Sequence, residues 1–183
     1  LIGVVPNSND GEKLAPQRRA TIAGNWVHGN GTVPVPVSDA QYHLVWGNGI
    51  LVTGGEDDVI TRNRVEGNAR GGIGIMMWPF RTGRLPAFAV AGNHVTDNVA
   101  QGNARDPAAF GDLWLWTARE SQGAQGNCFG GNTFATSSPA AIEAVAPCAG
   151  GGTAAIPGLD VGLLRTGPAG IDHRTVPAPA DQP

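Results

Sequence analysis

The stretch Ile60-Thr-Arg-Asn63-Arg-Val65-Glu-Gly-Asn68 carries the pattern that decides the fold of this chain of 183 residues. Two asparagines stand five positions apart, an apolar residue lies two positions after the first, and another apolar residue lies three positions before it. The pattern occurs four times, and the copies begin at Ile22, Ile60, Val90 and Ala124. They recur after 38, 30 and 34 residues, counted from the first asparagine of each copy: Asn25, Asn63, Asn93 and Asn127.

Short apolar runs lie between the copies, in Gly49–Val52, Gly72–Ile75 and Asp112–Leu115. Strands this short pair poorly as hairpins, whereas equivalent strands stacked coil upon coil pair above and below. Asparagine and glycine tolerate the left-handed backbone of the corners between strands. We therefore predict an all-β fold, a right-handed parallel β-helix (a solenoid) of about four to five rungs, with the four first asparagines in one column. Alternation places six aliphatic side chains inside the tube: Ile50, Val52, Ile73, Ile75, Leu113 and Leu115.

The predicted β-helix occupies residues 1–150, and its incomplete first copy suggests that further rungs precede Leu1. Residues 139–146 are expected to form a short helix, capped by Ser137 or Ser138, that covers the end of the tube. Residues 151–183 are rich in glycine and proline and are expected to form an extended tail on the surface.

The chain has two cysteines, Cys128 and Cys148, and neither belongs to a CxxC or Cys/His cluster. A structural disulfide between them is the favoured interpretation, with a reactive thiol as the alternative. A disulfide implies an oxidising compartment, so we expect a secreted, cell-surface or periplasmic location.

Charge and motif content exclude several function classes. The net charge is −3, and the one lysine, Lys13, forms no basic cluster, which argues against nucleic-acid binding. No apolar run is long enough to predict a transmembrane segment. The phosphate loop, HExxH, GxSxG and the calcium-binding nonapeptide are absent from the sequence.

The repeat resembles that of parallel β-helix proteins such as pectate lyases and many bacterial surface proteins. It looks closest to the actinobacterial right-handed β-helix region family, a comparison prompted by Gly126–Phe134 and by the closing Asp172–Pro177. The resemblance covers about residues 20–150 and implies the architecture. It implies no single activity, because this fold hosts several functions.

Two polar groups are candidate sites. The run Glu56-Asp57-Asp58 could bind calcium, as pectate lyases do beside their cleft, or it could be an ordinary polar corner. If the copies stack in phase, Trp26, Arg64 and His94 form an outward column, and His28 lies over Glu66. Arg64 with His94 could act on an acidic sugar, and the alternative is a solvated sheet face.

A third candidate is apolar and is predicted on the outer side of the strands that carry the Gly-Ile-Leu pattern. Exposed aromatic side chains there would form a sugar-stacking platform or a partner interface. The alternative is a second core beneath loop 78–87 or the tail. The residues are Leu51, Gly74, Met76, Trp114 and Trp116, with Met77 and Trp78 close by.

Three function hypotheses follow. The favoured one is a non-catalytic module that binds a polysaccharide or a surface protein and needs no cofactor. A polysaccharide lyase or glycoside hydrolase is the alternative, and it requires either two carboxylates about 5–10 Å apart or calcium with a basic residue. The acids available to it are Asp57, Asp58 and Asp112. A periplasmic accessory protein that handles metals is the third hypothesis, supported only by Met76-Met77 and dispersed histidines.

Overall fold

A computed structural model describes residues 2–8, 14–32, 45–78, 88, 90–105, 110–117 and 124–150. The described chain runs through four successive rungs of three strands each. The rungs are β1 (Thr21–Ala23), β2 (Trp26–His28), β3 (Asn48–Thr53); β4 (Val59–Thr61), β5 (Arg64–Glu66), β6 (Gly71–Met76); β7 (His94–Thr96), β8 (Val99–Gln101), β9 (Gly111–Trp116); β10 (Cys128–Gly130), β11 (Thr133–Phe134), β12 (Ser137–Ser138). One short helix, α1 (Ile142–Val145), follows β12.

Equivalent strands of the four rungs pair in parallel and form three four-stranded sheets. Sheet one is β1-β4-β7-β10, sheet two is β2-β5-β8-β11, and sheet three is β3-β6-β9-β12. This arrangement confirms the predicted parallel β-helix, with four rungs. A right-handed coil remains the expectation for parallel crossovers.

The tube is filled by the middle residue of each short strand and by alternate residues of sheet three. Ile60, Val65, Val95 and Phe129 are completely buried. The six aliphatic residues predicted to point inward from sheet three belong to the same cluster, which confirms their predicted orientation. Because one rung cannot enclose its own inner face, burial of this kind depends on the rungs above and below.

The asparagines form ladders along the helix axis, but the predicted single column is wrong. Asn63 bonds to Asn25 and Asn98, whereas Asn93 bonds to Asp58 and Asn127. The physical reason is that each rung contains two consecutive five-residue units, here called pentads. A pentad usually begins with asparagine and has an apolar residue at its third position. The first pentad of a rung forms the strand of sheet one, and the second forms the strand of sheet two. The first two sequence copies are sheet-two pentads and the last two are sheet-one pentads, so they differ in phase by five residues.

Three ladders result. The first contains Asn25, Asn63, Asn98 and Asn132, the second contains Asn30, Asn68 and Asn103, and the third contains Asp58, Asn93 and Asn127. Where two asparagines follow each other in a ladder, the backbone N–H and Nδ2 of one both donate to Oδ1 of the next. Asn63, for example, donates to Asn98 Oδ1 at 2.9 Å from N and 3.0 Å from Nδ2. Carboxylates end two of the ladders: Glu143 accepts from Asn132, and Asp112 accepts from Asn103.

Three strands of sheet three, β3, β6 and β9, are buried on both faces, so the predicted exposed apolar stripe is wrong. Leu51 and Met76 are 0% exposed, and Trp114 and Trp116 are 1% and 3% exposed. They form a second cluster with Phe110, against which Ile2 and Val45 pack. Gly74 leaves room for the Trp114 indole, because a Cβ there would lie within 3.0 Å of it. The alternative of a second core is therefore confirmed for these residues.

The remaining members of that stripe behave differently. Met77 is partly buried and packs against the main core. Trp78 is partly buried, and its backbone N–H donates to Phe88 O at 2.9 Å. Alternation correctly placed Leu51, Met76, Trp114 and Trp116 on the side of sheet three that faces away from the tube, but it could not show what covers that side. Most of loop 78–87 and the whole tail 151–183 lie outside the described residues.

The C-terminal end of the tube is closed, as predicted, although the capping helix is shorter. It contains four residues, and its N-cap is Ala141 without a side-chain cap, in place of the predicted Ser137 or Ser138. Ile142 is completely buried, and Ala146 accepts a 2.7 Å hydrogen bond from Phe129 N. The segment after α1 thus pairs with the last strand of sheet one and covers an edge that would otherwise be open.

The predicted disulfide between Cys128 and Cys148 is confirmed, with the two Cα atoms 4.7 Å apart. It links the last strand of sheet one to the segment that follows α1. The chain-entropy model assigns a stabilisation of roughly 3 kcal/mol to a loop of this length.

Candidate functional site

A groove lies where the chain leaves sheet two, and its floor is a column of three glycines. Gly29, Gly67 and Gly102 occupy equivalent corners in the first three rungs and all have positive φ, at 68°, 65° and 62°. This left-handed backbone favours glycine. A Cβ on Gly29 or Gly102 would meet no atom within 4 Å, so the missing side chains leave open space there.

Polar side chains line this groove, which has a volume of about 420 Å³. His28, Glu66 and Gln101 directly precede the three glycines and end β2, β5 and β8. Thr32 and Arg105 complete the lining. Sequence reasoning missed this groove. The signal available in the sequence was the recurrence of a polar residue followed by Gly-Asn at positions 28–30, 66–68 and 101–103.

An exposed tryptophan stands beside the groove on the outer face of sheet two. Trp26 is 64% exposed, and its ring stacks on His28 with the centroids 4.3 Å apart and the planes at 27°. Trp26 Nε1 donates to Glu66 Oε1 at 2.9 Å, and Arg64 Nε donates to Glu66 Oε2, also at 2.9 Å. The indole is therefore held in place while most of its surface remains open to solvent.

Glu66 is held in its ionised form. The hydrogen bond from Arg64, and then that from Trp26, lowers the pKa of the Glu66 carboxyl. A glycosidase acid needs the opposite shift, because it must hold a proton near neutral pH. Glu66 is also the only carboxylate among the described residues that line the groove. The carboxylate pair that a glycoside hydrolase requires is therefore not found in the described lining.

The predicted outward column is half right. Trp26 pairs with Arg64, and His28 pairs with Glu66, as predicted. The placement of His94 in this column is wrong, because His94 lies in sheet one between Val59 and Cys128. The neighbour of Arg64 in the third rung is Val99. The cause is again the two pentads of each rung, and Arg64 and His94 form no common site.

His94 lines a second groove, of about 300 Å³, near the C-terminal end of sheet one. The disulfide, Gln125, Asn127 and Pro147 also line it, and the described lining contains no carboxylate. An acid–base pair built on His94 therefore has no carboxylate partner in the described part of this groove.

The three acids of residues 56–58 do not converge. Glu56 forms an exposed ion pair with Arg18 at 3.6 Å, Asp57 lies on an exposed left-handed corner with φ of 56°, and Asp58 is buried. In the described ranges no group of three or more histidine, cysteine, aspartate or glutamate side chains could hold a metal ion. The geometry therefore gives no support to the predicted calcium site. Asp112, the other acid considered for catalysis, is buried and ends the second ladder.

Asp58 occupies a ladder position that Asn93 and Asn127 fill in the next rungs. Its Oδ1 accepts from Ala20 N at 2.7 Å and from Gln17 Nε2 at 2.8 Å. Its buried Oδ2 has no partner in the described structure, and neither does the buried Oε1 of Gln17. Burial raises the pKa of the Asp58 carboxyl, although the two hydrogen bonds act in the opposite direction.

Replacing Asp58 with asparagine is expected to stabilise the fold by about 1 kcal/mol at pH 7, because an Nδ2 donor replaces an unpaired buried acceptor. A raised folded-state pKa means that the aspartate stabilises the fold only at low pH, and this stability is lost as pH rises through the folded pKa. The gain in Asp58→Asn should therefore shrink as the pH falls towards the ordinary aspartate value. Urea unfolding at pH 7 and pH 4 measures both effects. Equal or lower stability at pH 7 would contradict this prediction.

Comparison of the chain with family models, with curated proteins and with solved structures found no match. The class is therefore defined by geometry: a disulfide-closed parallel β-helix with an exposed aromatic side chain beside a glycine-floored polar groove. No helix in the described residues has the length and apolar character to cross a membrane.

Proposed function

We propose that this chain is a non-catalytic β-helix module that binds a polysaccharide along the outer face of sheet two and the adjacent groove. The observation that carries the proposal is Trp26, a 64% exposed indole fixed by Glu66 and stacked on His28 beside the groove. A sugar ring can stack on such an aromatic face while its hydroxyl groups form hydrogen bonds with neighbouring polar side chains.

The groove offers those polar partners at successive rungs. His28, Glu66 and Gln101 recur along the helix axis at the rung spacing of about 4.8 Å. An extended glycan lying along the axis would meet one such side chain per rung, so the repeat of the protein would match a repeating ligand. The glycine column allows the glycan to approach the backbone closely.

We also propose that the chain is located outside the cytoplasm, as a secreted, cell-surface or periplasmic protein. The disulfide supports it, because such bonds persist in oxidising compartments. The resemblance of the repeat to bacterial surface β-helix proteins agrees with this location.

Replacing Trp26 with alanine should weaken polysaccharide binding at least about tenfold, since an exposed stacking ring contributes binding energy but little folding energy. Affinity electrophoresis on a panel of plant and microbial polysaccharides, followed by titration calorimetry, measures the change. Val59→Ala is the matched control, because Val59 is 36% exposed on the outer face of sheet one and lies outside the proposed binding surface.

Two results would reject the proposal. One is the absence of binding to every polysaccharide. The other is the appearance of new reducing ends or unsaturated products after incubation with a polysaccharide, which would identify the protein as a hydrolase or a lyase.

A further inference from the structure

We propose that the groove selects a glycan with an anionic substituent and that Arg105 binds this substituent. The inference rests on the proposed function and adds the chemical class of the ligand. Carboxylate, sulfate ester and phosphate groups share the required chemistry: a negative charge with oxygen acceptors for a guanidinium group.

The charges around the groove do not balance. Glu66 is matched by Arg64, with Nε and Oε2 2.9 Å apart. Within the described chain, Arg105 has no carboxylate at ion-pair distance, since the ion pairs found there are Arg18–Glu56 and Arg64–Glu66. The groove and its neighbour Arg64 therefore carry one unmatched positive charge, with His28 counted as neutral.

This local excess runs against the charge of the whole chain, which is −3. A general attraction of anions is therefore not expected, and selectivity for an anionic ligand would have to come from the groove. Arg105 is exposed, and one of its guanidinium nitrogens lies 3.5 Å from the position that a Cβ of Gly67 would take. The cation thus stands over the glycine floor, where a bound glycan would pass.

The arrangement also indicates which sugar carries the charge. Trp26 lies in the first rung, Gly67 in the second, and Arg105 in the third. Along the helix axis, the stacking ring and the guanidinium group are therefore separated by roughly one to two rung spacings of about 4.8 Å. One sugar would stack on Trp26 while a neighbouring sugar presents its anionic group to Arg105.

The test compares four polymers of similar length: a neutral glucan, a polyuronate, a sulfated galactan and a glycan linked by phosphodiesters. At least one anionic polymer should bind about tenfold more tightly than the glucan at low salt, and the preference should fall as salt rises. Arg105→Gln should reduce that preference to about twofold or less. Arg62→Gln is the matched control, because Arg62 is exposed on the corner between sheets one and two, outside the groove.

Quenching of tryptophan fluorescence provides a second readout, since Trp26 is the most exposed of the described tryptophans. Two results would overturn this inference but leave the proposed function standing, provided that Trp26→Ala still weakens binding at least about tenfold. One is equal binding of the glucan and the anionic polymers, and the other is a preference that survives Arg105→Gln. The absence of binding to all four polymers would overturn the inference together with the proposed function. Comparison of the three anionic polymers identifies the source of the charge.

Discussion

Replacing Asn98 with alanine is expected to lower the free energy of unfolding by about 4 kcal/mol. Its Nδ2 donates to Ile60 O, Thr96 O and Asn132 Oδ1, each at 2.9 Å, and its Oδ1 accepts from the N–H and Nδ2 of Asn63. Asn98 is 1% exposed, so water could not replace these partners without opening the corner. Each buried group left unpaired costs about 1–3 kcal/mol.

Chemical denaturation measures this change, and Asn25→Ala is the matched control. Asn25 is the exposed first member of the same ladder, so its loss should cost no more than about 1 kcal/mol. Asn98→Asp provides a second test. It keeps the acceptor for Asn63 but turns an oxygen towards the carbonyls of Ile60 and Thr96, so it should also destabilise the protein at neutral pH. If alanine at positions 98 and 25 cost the same, the ladder would not be a main source of stability.

Replacing Gly74 with alanine is expected to cost at least about 3 kcal/mol, because the added methyl group would overlap the Trp114 indole in a tightly packed cluster. Trp114 is 1% exposed, so its ring cannot move out of the way without disturbing Phe110 and Leu51. The φ of Gly74 is not positive, so the cost comes from packing and not from backbone strain.

The control for Gly74→Ala is Gly130→Ala, another strand glycine without positive φ, where a Cβ would be 3.4 Å from Cys148 Cβ, an ordinary contact. That variant should change the free energy of unfolding by less than about 1 kcal/mol. A double-mutant cycle of Gly74→Ala with Trp114→Leu should show the double variant at least about 1 kcal/mol more stable than the sum of the single effects. Additive effects would mean that the two residues do not compete for the same space.

The architecture could be predicted from the sequence because its signals are local. Asparagine at corners and one inward aliphatic residue per short strand are set by backbone conformation and burial within a few residues. The phase of the asparagines could not be predicted in the same way. In the second rung, the first pentad begins with Asp58 in place of asparagine, so only its second pentad was recognised. Asn63 and Asn93 therefore looked equivalent, although they precede strands of different sheets.

The candidate site depended on contacts between distant parts of the chain, which the sequence does not show. The pairing of Trp26 with Arg64 was predictable, because both residues occupy the same position of a pentad. The burial of Trp114 and Trp116 was not, since alternation indicates the side of a strand but not its neighbours. Gly67 and Arg105 are 38 residues apart and meet only when the rungs stack.

The two-pentad rung limits how such a gene can change in length. Loss of the five codons for Asn93–Asp97 would move the next pentad from sheet two into sheet one, and the shortened rung would lack a strand on one side. Viable insertions and deletions between Asp58 and Asn68, or between Asn93 and Asn103, would therefore have to keep both pentads. The segments between one pair of pentads and the next can vary in length without this constraint, and their lengths already differ among the rungs.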